Sequence, residues 1–349
     1  MRKHRINGAA STSLAGGRRP TSYDVAQLAG VSQSAVSRCF RSGGSIAPAT
    51  RKRVLNAADA LGYQPNAIAS GLTTSRSNLV AVLISRHVML YYPEVLDELS
   101  GRLDELNVRM LLFTLRHEGD VKGVLDQVWR HRVDGAIAAV HLDPEQIGAF
   151  ERHHVPIVLY NRRSADGQIP SVCCESHFGE KWIVDRLHEA GARSFGIITG
   201  PPDSFVSSER VDGAQDRLRE LGIIPNIVEG AFDPASGAQG LRALIEMTGG
   251  KLDAVVCVND QMAIGAIDEA RGRCGLVVPR DISIVGFDGT ATGRLHSYDV
   301  TTIRQPVERM TEAAAAMLIE RIAAPDLPPE IRSFAGKLIA GSTAMLAGT

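Results

Sequence analysis

From Thr21 to Phe40 the apolar positions Val25, Leu28, Val31 and Val36 repeat at helical spacing, and the phase of the repeat breaks once, at Gly30. The break predicts two short helices joined by a glycine turn. Thr21 or Ser22 caps the first, Gly30 supplies the tight backbone, and Ser32 caps the second. The outward positions of the second helix are Gln33, Ser34, Ser37 and Arg38, so amide, hydroxyl and guanidinium groups share one exposed face. Two helices joined in this way, with such a face, suit the major groove of DNA as a helix-turn-helix. A third helix is predicted from Pro48 to Leu61, with Val54, Ala57, Ala58 and Leu61 on one side, Pro48 in its first turn and Gly62 at its end. Residues 20–64 thus read as an all-α DNA-binding domain. Residues 65–78 follow as a short helical element and a polar linker. A helix of about seven residues is marginal alone in water, so this one orders only against DNA or a second copy of the chain.

From Leu79 onward the pattern changes to short apolar runs alternating with amphipathic segments. Strands are predicted at 79–84, 109–114, 135–140, 156–160, 171–173, 194–199, 254–258 and 283–287, and helices at 93–106, 180–189, 208–221, 260–271 and 306–322. Such alternation predicts an α/β fold of doubly wound, mostly parallel sheets with helices on both faces. Roughly 270 residues exceed one typical core, so two lobes are expected. The first spans about 79–175 and 304–333. The second spans about 176–301 and 334–349, with a final strand over 334–342. A cleft between them, facing the strand carboxyl ends, is a natural ligand site.

Charge changes this picture. Lys and Arg total 38 against 39 Asp and Glu, but residues 1–78 hold eleven of the bases and only Asp24 and Asp59, a net +9, leaving −10 on the remainder. A basic head on an acidic body implies a polyanionic partner for the head. Residues 1–19, basic and rich in Gly, Ser and Ala, read as a disordered arm able to touch phosphates. The five cysteines, Cys39, Cys173, Cys174, Cys257 and Cys274, lack zinc spacing, and their odd number argues against a disulfide framework, so a reducing, cytoplasmic setting is expected. The start lacks an apolar stretch of signal length, and no run approaches ~18 apolar residues, so neither export nor a membrane span is expected.

Several stretches together resemble the lactose-repressor and galactose-repressor family of bacterial transcription regulators, over about residues 20–345. They are Tyr-Asp-Val-Ala-Gln-Leu-Ala-Gly-Val-Ser at 23–32, Val-Ser-Arg at 36–38, Leu-Gly-Tyr-Gln-Pro-Asn-Ala-Ile-Ala at 61–69, Val-Asn-Asp-Gln-Met-Ala-Ile-Gly-Ala at 258–266, Ile-Val-Gly-Phe-Asp at 284–288, Thr-Thr-Ile-Arg-Gln-Pro at 301–306 and Gly-Ser-Thr-Ala at 341–344. The resemblance implies a helix-turn-helix head before a two-lobed, periplasmic-binding-protein-like effector domain. The implied molecule is a homodimer on operator DNA, switched by a small sugar-like effector and needing no cofactor or metal. It implies DNA contacts from Tyr23, Ser32, Gln33, Ser34, Ser37 and Arg38, and from Asn66, Ala69 and Leu72 in a hinge helix, where Leu72 wedges into the minor groove. The chemistry agrees, because an arginine fork fits the guanine edge, glutamine fits adenine, and an apolar wedge kinks a base step. Read alone, Ser34 and Ser37 equally suit phosphate contacts, and Leu72 suits interdomain packing.

In the cleft the resemblance implies effector contacts from Glu175, Arg210, Asn259 and Asp288, with aromatic rings from Tyr91, Tyr92 and Phe232. The two tyrosines are placed at the start of the first lobe's first helix. Carboxylate, amide and guanidinium groups beside aromatic rings suit a polyhydroxylated or carboxylated ligand. Read alone, Asp288 is also a turn residue after a strand, and Arg210 a surface ion pair. Three departures stand out: Glu175 occupies a place where the family often has Asp, Met89-Leu90 one where Asn-Pro often precedes the aromatic pair, and Gly289 one where a second Asp is common.

An enzyme reading finds no support in sequence motifs. There is no Gly-x-Ser-x-Gly elbow, no His-Glu-x-x-His and no phosphate loop, and Gly196 to Gly200 lacks dinucleotide spacing. The competing class is a solute-binding protein, for which the two-lobed body suffices. The basic helix-turn-helix head is the feature that such a protein has no use for.

Overall fold

The structure, a computed structural model, describes residues 18–40, 44–64, 76–115, 121–164 and 166–347, apart from the side chains of His87 and Tyr91. The chain forms two units, one up to Ser77 and one from Asn78.

The first unit contains α1 (Ser22–Ala29), α2 (Gln33–Phe40) and α3 (Pro48–Leu61). Its core is Val25, Ala26, Ala29, Val36, Cys39, Val54, Ala57 and Ala58, closed by an edge-on contact of Phe40 with Tyr63. Leu28, expected inside, is 48% exposed. The buried stripe of α1 is Val25, Ala26 and Ala29, and alanines there let α1 approach α3 closely. Thr21 caps α1 in a reciprocal box: its hydroxyl accepts from the Asp24 amide and the Asp24 carboxylate accepts from its backbone N–H. Gly30 and Gly62 both end helices at φ near +60°, where a side chain is strained. Residues 1–17 of the expected arm lie outside the described residues. Arg18 is tied down rather than disordered, giving Asp24 two hydrogen bonds of 2.7 and 2.9 Å. Those bonds, and then those from Thr21, hold the Asp24 carboxyl well below the usual carboxylate range.

The second unit holds two six-stranded sheets. The first is built from β1 (Leu79–Ser85), β2 (Arg109–Leu115), β3 (Gly135–Ala139), β4 (Ile157–Tyr160), β5 (Ser171–Cys174) and β11 (Ile331–Phe334), in the order 11-5-4-3-1-2. The second is built from β6 (Phe195–Ile198), β7 (Asn226–Val228), β8 (Ala254–Cys257), β9 (Ser283–Asp288), β10 (Thr301–Arg304) and β12 (Lys337–Ile339), in the order 12-10-9-8-6-7. All pairings are parallel except β10 with β12. Continuous apolar runs at β1, β3 and β8 are buried along their length, as central strands covered on both faces must be, whereas β2 at an edge is partly exposed.

Two expectations need correction. The strand expected over 334–342 forms in the second sheet but only as β12, beside β10, and just before it the unexpected β11 adds to the first sheet beside β5. The chain also leaves the second sheet only after Arg304, because all of β10 pairs with β9. Both errors have one cause: an apolar run announces a strand but carries no information about which sheet accepts its hydrogen bonds. The lobes are therefore crossed at three places, 174–176, 304–307 and 334–337. These places pack together, with the Glu175 N–H bonded to the Phe334 carbonyl at 2.9 Å. A Cβ on Gly336 would stand 2.5 Å from Ile303 Cγ2, so the third crossing requires glycine.

Candidate nucleic-acid interface and ligand cleft

In the first unit Ser32, Gln33, Ser34, Ser37 and Arg38 are all exposed on α2 and its N-cap, and Tyr23 is 72% exposed on α1. Residues 33, 34, 37 and 38 share one face while Ala35, Val36 and Cys39 fill the core, so the polar face is free for a groove. Ser32 caps α2 by accepting from the Ala35 N–H, and its hydroxyl lies 2.9 Å from that of Ser34. Gln33 Nε2 donates to Ser22 Oγ at 3.3 Å, tying the polar face to α1. Arg51, Lys52 and Arg53 are exposed at the start of α3. Asn66, Ala69 and Leu72 lie outside the described residues.

In the second unit each sheet reverses its winding between its first and third strands, β1 and β3 in one, β6 and β8 in the other. In open α/β sheets ligands bind at such switch points, outside the strand carboxyl ends. Arg210 lies at the switch point of the second sheet. It comes from α9 (Phe205–Glu220), which starts after β6 with Ser204 as its cap. Its side chain is only 2% exposed, and its guanidinium donates to the Val258 carbonyl just beyond β8 at 2.5 Å and to Asp288 Oδ1 at 2.7 Å. It also lies over the Phe287 ring, 3.9 Å from the centroid. Arg210 is therefore a buried anchor rather than a surface ion pair.

Asp288 ends β9 at φ 113°, a conformation that is strained for a residue other than glycine and that clusters at functional sites. Its Oδ1 accepts from both Arg210 and Gln305 Nε2 at 2.7 Å, and its carbonyl accepts from the Tyr92 hydroxyl at 3.2 Å. Burial raises its pKa against the lowering by Arg210 and Gln305. Asp288 thus joins three segments, with Tyr92 belonging to the first lobe. Gln305 in turn accepts from Asn161 Nδ2 at 3.1 Å, just beyond β4. Arg304 donates to Glu94 at 2.6 Å and to the Gly289 carbonyl at 2.8 Å. Gly289 has φ 70°, and a Cβ there would press on Arg304, so an aspartate does not fit this arrangement without a shift.

Asn259 caps α11 (Asp260–Gly272) by accepting from the Met262 N–H at 2.9 Å, and its amide donates to the Phe232 carbonyl at 3.0 Å. It fixes the Phe232 loop, and the Phe232 ring covers Gly200, where a Cβ would overlap it. The tyrosine pair stands directly before the expected helix, which runs as α5 (Glu94–Glu105), but Tyr91 is the last residue of an unexpected short α4 (Arg86–Tyr91) and Tyr92 follows it buried. The Tyr91 side chain lies outside the described residues. Glu175 stands exposed at the first crossing, before α8 (Ser176–Glu189), and makes no hydrogen bond with Arg210, Asn259 or Asp288. The structure thus brings together Tyr92, Arg210 and Asp288, and beside them Asn259 and Phe232, while Glu175 stands exposed next to Cys174, on whose thiol Arg210, Asp288 and Glu175 all act.

Sequence reasoning missed Gln305, Asn161, Asp260 and Glu180. Gln305 and Asp260 lie inside motifs quoted above, next to residues that were singled out. Asp260 accepts from Thr302 Oγ1 at 2.6 Å and from the Thr290 N–H and hydroxyl at 2.6 and 3.0 Å, and burial, then Asp288, push its pKa up to about 7. Among the described residues no group of His, Cys, Asp and Glu converges as a metal site would, and no helix is long and apolar enough to cross a membrane.

Residues 21–66 match the family of bacterial regulatory proteins of the lacI type, and residues 184–344 match a periplasmic binding protein-like domain. The chain is 31% identical to the HTH-type transcriptional regulator AscG of Escherichia coli (strain K12), over 91% of this chain and 96% of that protein. It resembles the lac repressor dimer bound to operator and the anti-inducer ONPF with a TM-score of 0.84 at 26% identity, covering 94% of this chain and 100% of that one. A transcriptional regulator CelR–cellobiose complex superposes with a TM-score of 0.71 at 27% identity, over 93% and 100% of the two chains. A head with an exposed polar reading face, a body of two lobes bridged from Tyr92 to the Asp288 that holds the buried Arg210, and relatives matching both lead to one conclusion: this chain belongs to the lacI family of bacterial transcriptional regulators.

Proposed function

We propose that the chain is a cytoplasmic, homodimeric repressor, not an enzyme, that grips a roughly palindromic operator through two helix-turn-helix heads and is switched by a small effector, a sugar, polyol or sugar acid, held between its lobes. The two-fold symmetry of the protein sets the symmetry and half-site spacing of the operator. Gln33, Ser34 and Arg38 read base edges, Tyr23, Ser32 and Ser37 fix register, and Asn66, Ala69 and Leu72 in the 65–78 segment kink the site. The observation that carries the switch is Asp288, whose carboxylate holds Arg210 while its carbonyl holds Tyr92 of the other lobe. A hydroxylated ligand competing for these groups changes the relative angle of the lobes, and that change favours one state of the DNA-binding segment. Arg210, Asn259 and Asp288 offer both donors and acceptors, and Tyr92 and Phe232 supply ring faces, as sugar-like ligands require. The cellobiose and ONPF complexes of the related regulators support this class.

The test is linkage in the full chain. Operator fragments are selected from random duplex by the protein itself, and sugars, polyols and sugar acids are screened by calorimetry. Saturating operator then changes effector affinity by the same factor as effector changes operator affinity. Equal affinity for selected and random duplex refutes the regulator reading, and an effector whose affinity ignores operator refutes the switch.

A further inference from the structure

Glu180 is the polar group in the second lobe that the site described above leaves unexplained. It sits one turn into α8, wholly buried, and neither carboxyl oxygen has a hydrogen-bond partner among the described residues. Buried polar side-chain atoms without a partner are rare and costly to maintain, so this one calls for a cause. The helix packs against α9, which carries Arg210, and the charges acting on Glu180 are Arg210 from α9 and Asp288 from β9, with the Cys257 thiol of β8 also in its field. Arg210 has a matching deficiency. Its terminal nitrogens are bonded to Val258 and Asp288, but its buried Nε–H has no partner. Glu180 thus lies on a helix packed against the one that carries Arg210 and feels its charge, but only Asp288 holds the guanidinium.

We propose that Glu180 is a positioning residue for Arg210, a reserve counter-ion that takes the guanidinium when an effector occupies Asp288. The proposal rests on the reading of Arg210 and Asp288 as effector contacts. A planar guanidinium has five donors and accepts a second carboxylate without losing its first orientation, so the exchange needs a turn of the fork rather than a new fold. In the present arrangement Glu180 is kept protonated, because burial, opposed by Arg210 and reinforced by Asp288, pushes its pKa up to about 8. When the ligand's donors engage Asp288, Arg210 turns to Glu180, the proton leaves Glu180 for solvent, and the carboxylate formed neutralises the guanidinium. Effector binding and release are thereby linked to one proton. An effector bearing hydroxyl or amine donors suits this exchange, whereas an anionic effector bound to Arg210 opposes ionisation of Glu180.

The experiment needs no effector. In the full-length protein the Arg210 Nε–H resonance, assigned by its loss in R210K, is followed with pH, and the Glu180 carboxyl is followed in protein labelled with carboxyl-13C glutamate. The wild-type Nε–H resonance is expected to shift as Glu180 ionises, and E180Q is expected to lose that shift. D288N, which removes the competing carboxylate as a ligand would, is expected to lower the Glu180 midpoint by about one pH unit or more. An Nε–H resonance indifferent to pH between about 6.5 and 9.5 overturns the proposal, as does a shift that persists in E180Q or a Glu180 midpoint unmoved in D288N. The wild-type Nε–H titration does not depend on E180Q, so a resonance indifferent to pH overturns the proposal even if that variant does not fold. If Arg210→Ala keeps a full effector response, the cleft reading fails while the resonance result stands.

Discussion

Replacing Arg210 by alanine removes the one cation that Asp288 holds and leaves a carboxylate whose side chain is only 13% exposed. Breaking a buried pair from one side costs about 3–5 kcal/mol, because the remaining charge is desolvated without compensation. The loss of the ring contact with Phe287 adds about 1 kcal/mol. Two features of the site work against the full sum. Gln305 still donates to Asp288, and Asp288, already raised, takes a proton more readily once Arg210 is gone. A net loss of about 3 kcal/mol near neutral pH is therefore expected, and it depends on pH with a definite sign. A carboxyl whose folded pKa exceeds its unfolded value keeps its stabilising proton at low pH and loses it as pH rises through the folded value. The deficit of Arg210→Ala against wild type thus shrinks as pH falls, by up to about 1.4 kcal/mol per unit while Asp288 exchanges its proton. Urea unfolding of the full chain at fixed protein concentration, followed by tryptophan fluorescence, measures this. Trp129 and Trp182, the two tryptophans, lie in the first and second lobes and neither lies in the DNA-binding unit. A loss below about 1 kcal/mol, or a deficit constant between about pH 5.5 and 8.5, refutes Arg210–Asp288 as the buried junction.

Other consequences follow from the same geometry. In wild type, Glu180 and Asp260 have folded values raised to about 8 and about 7, so unfolding free energy falls as pH rises toward those values, and E180Q flattens the upper part of that fall. Urea midpoints across pH measure this, and a wild-type midpoint that rises from pH about 6 to 9 contradicts it. Arg38→Ala is expected to lower discrimination between selected operator and random duplex by about 1–3 kcal/mol with effector binding retained; equal losses on both duplexes mean that Arg38 meets only phosphate. Gly237→Ala puts a Cβ onto the Met262 carbonyl, where α10 (Pro234–Thr248) crosses α11. The helices must part, costing about 1–3 kcal/mol and moving Asn259 and Phe232. Calorimetry is expected to find weaker effector binding, and unchanged affinity and stability together count against this crossing as the support of the cleft.

Elements and their ends were legible in the sequence because they depend on local rules. The broken apolar period at Gly30, the cap at Thr21, Pro48 at the first position of α3 and the apolar runs at β1, β3 and β8 each act through nearest neighbours along the chain. The uneven charge marked the head as a partner for a polyanion in the same way, since net charge is a property of composition. Motif resemblance went further and pointed to Arg210, Asn259 and Asp288.

What each of those residues does was decided only by tertiary structure. Asn259 is a cap and a tether because the Phe232 carbonyl arrives from a distant loop, and Glu175 stands exposed between the buried Cys174 and Ser176. The neighbouring strands β11 and β12 join different sheets, because hydrogen-bond partners and not hydropathy assign a strand. Glu180 looked like one more polar position near the start of a helix; only the fold surrounds it with Arg210, Asp288 and Cys257. Periodicity records how a residue is placed on its own element, whereas the energy of a buried charge depends on groups that the chain brings from far away.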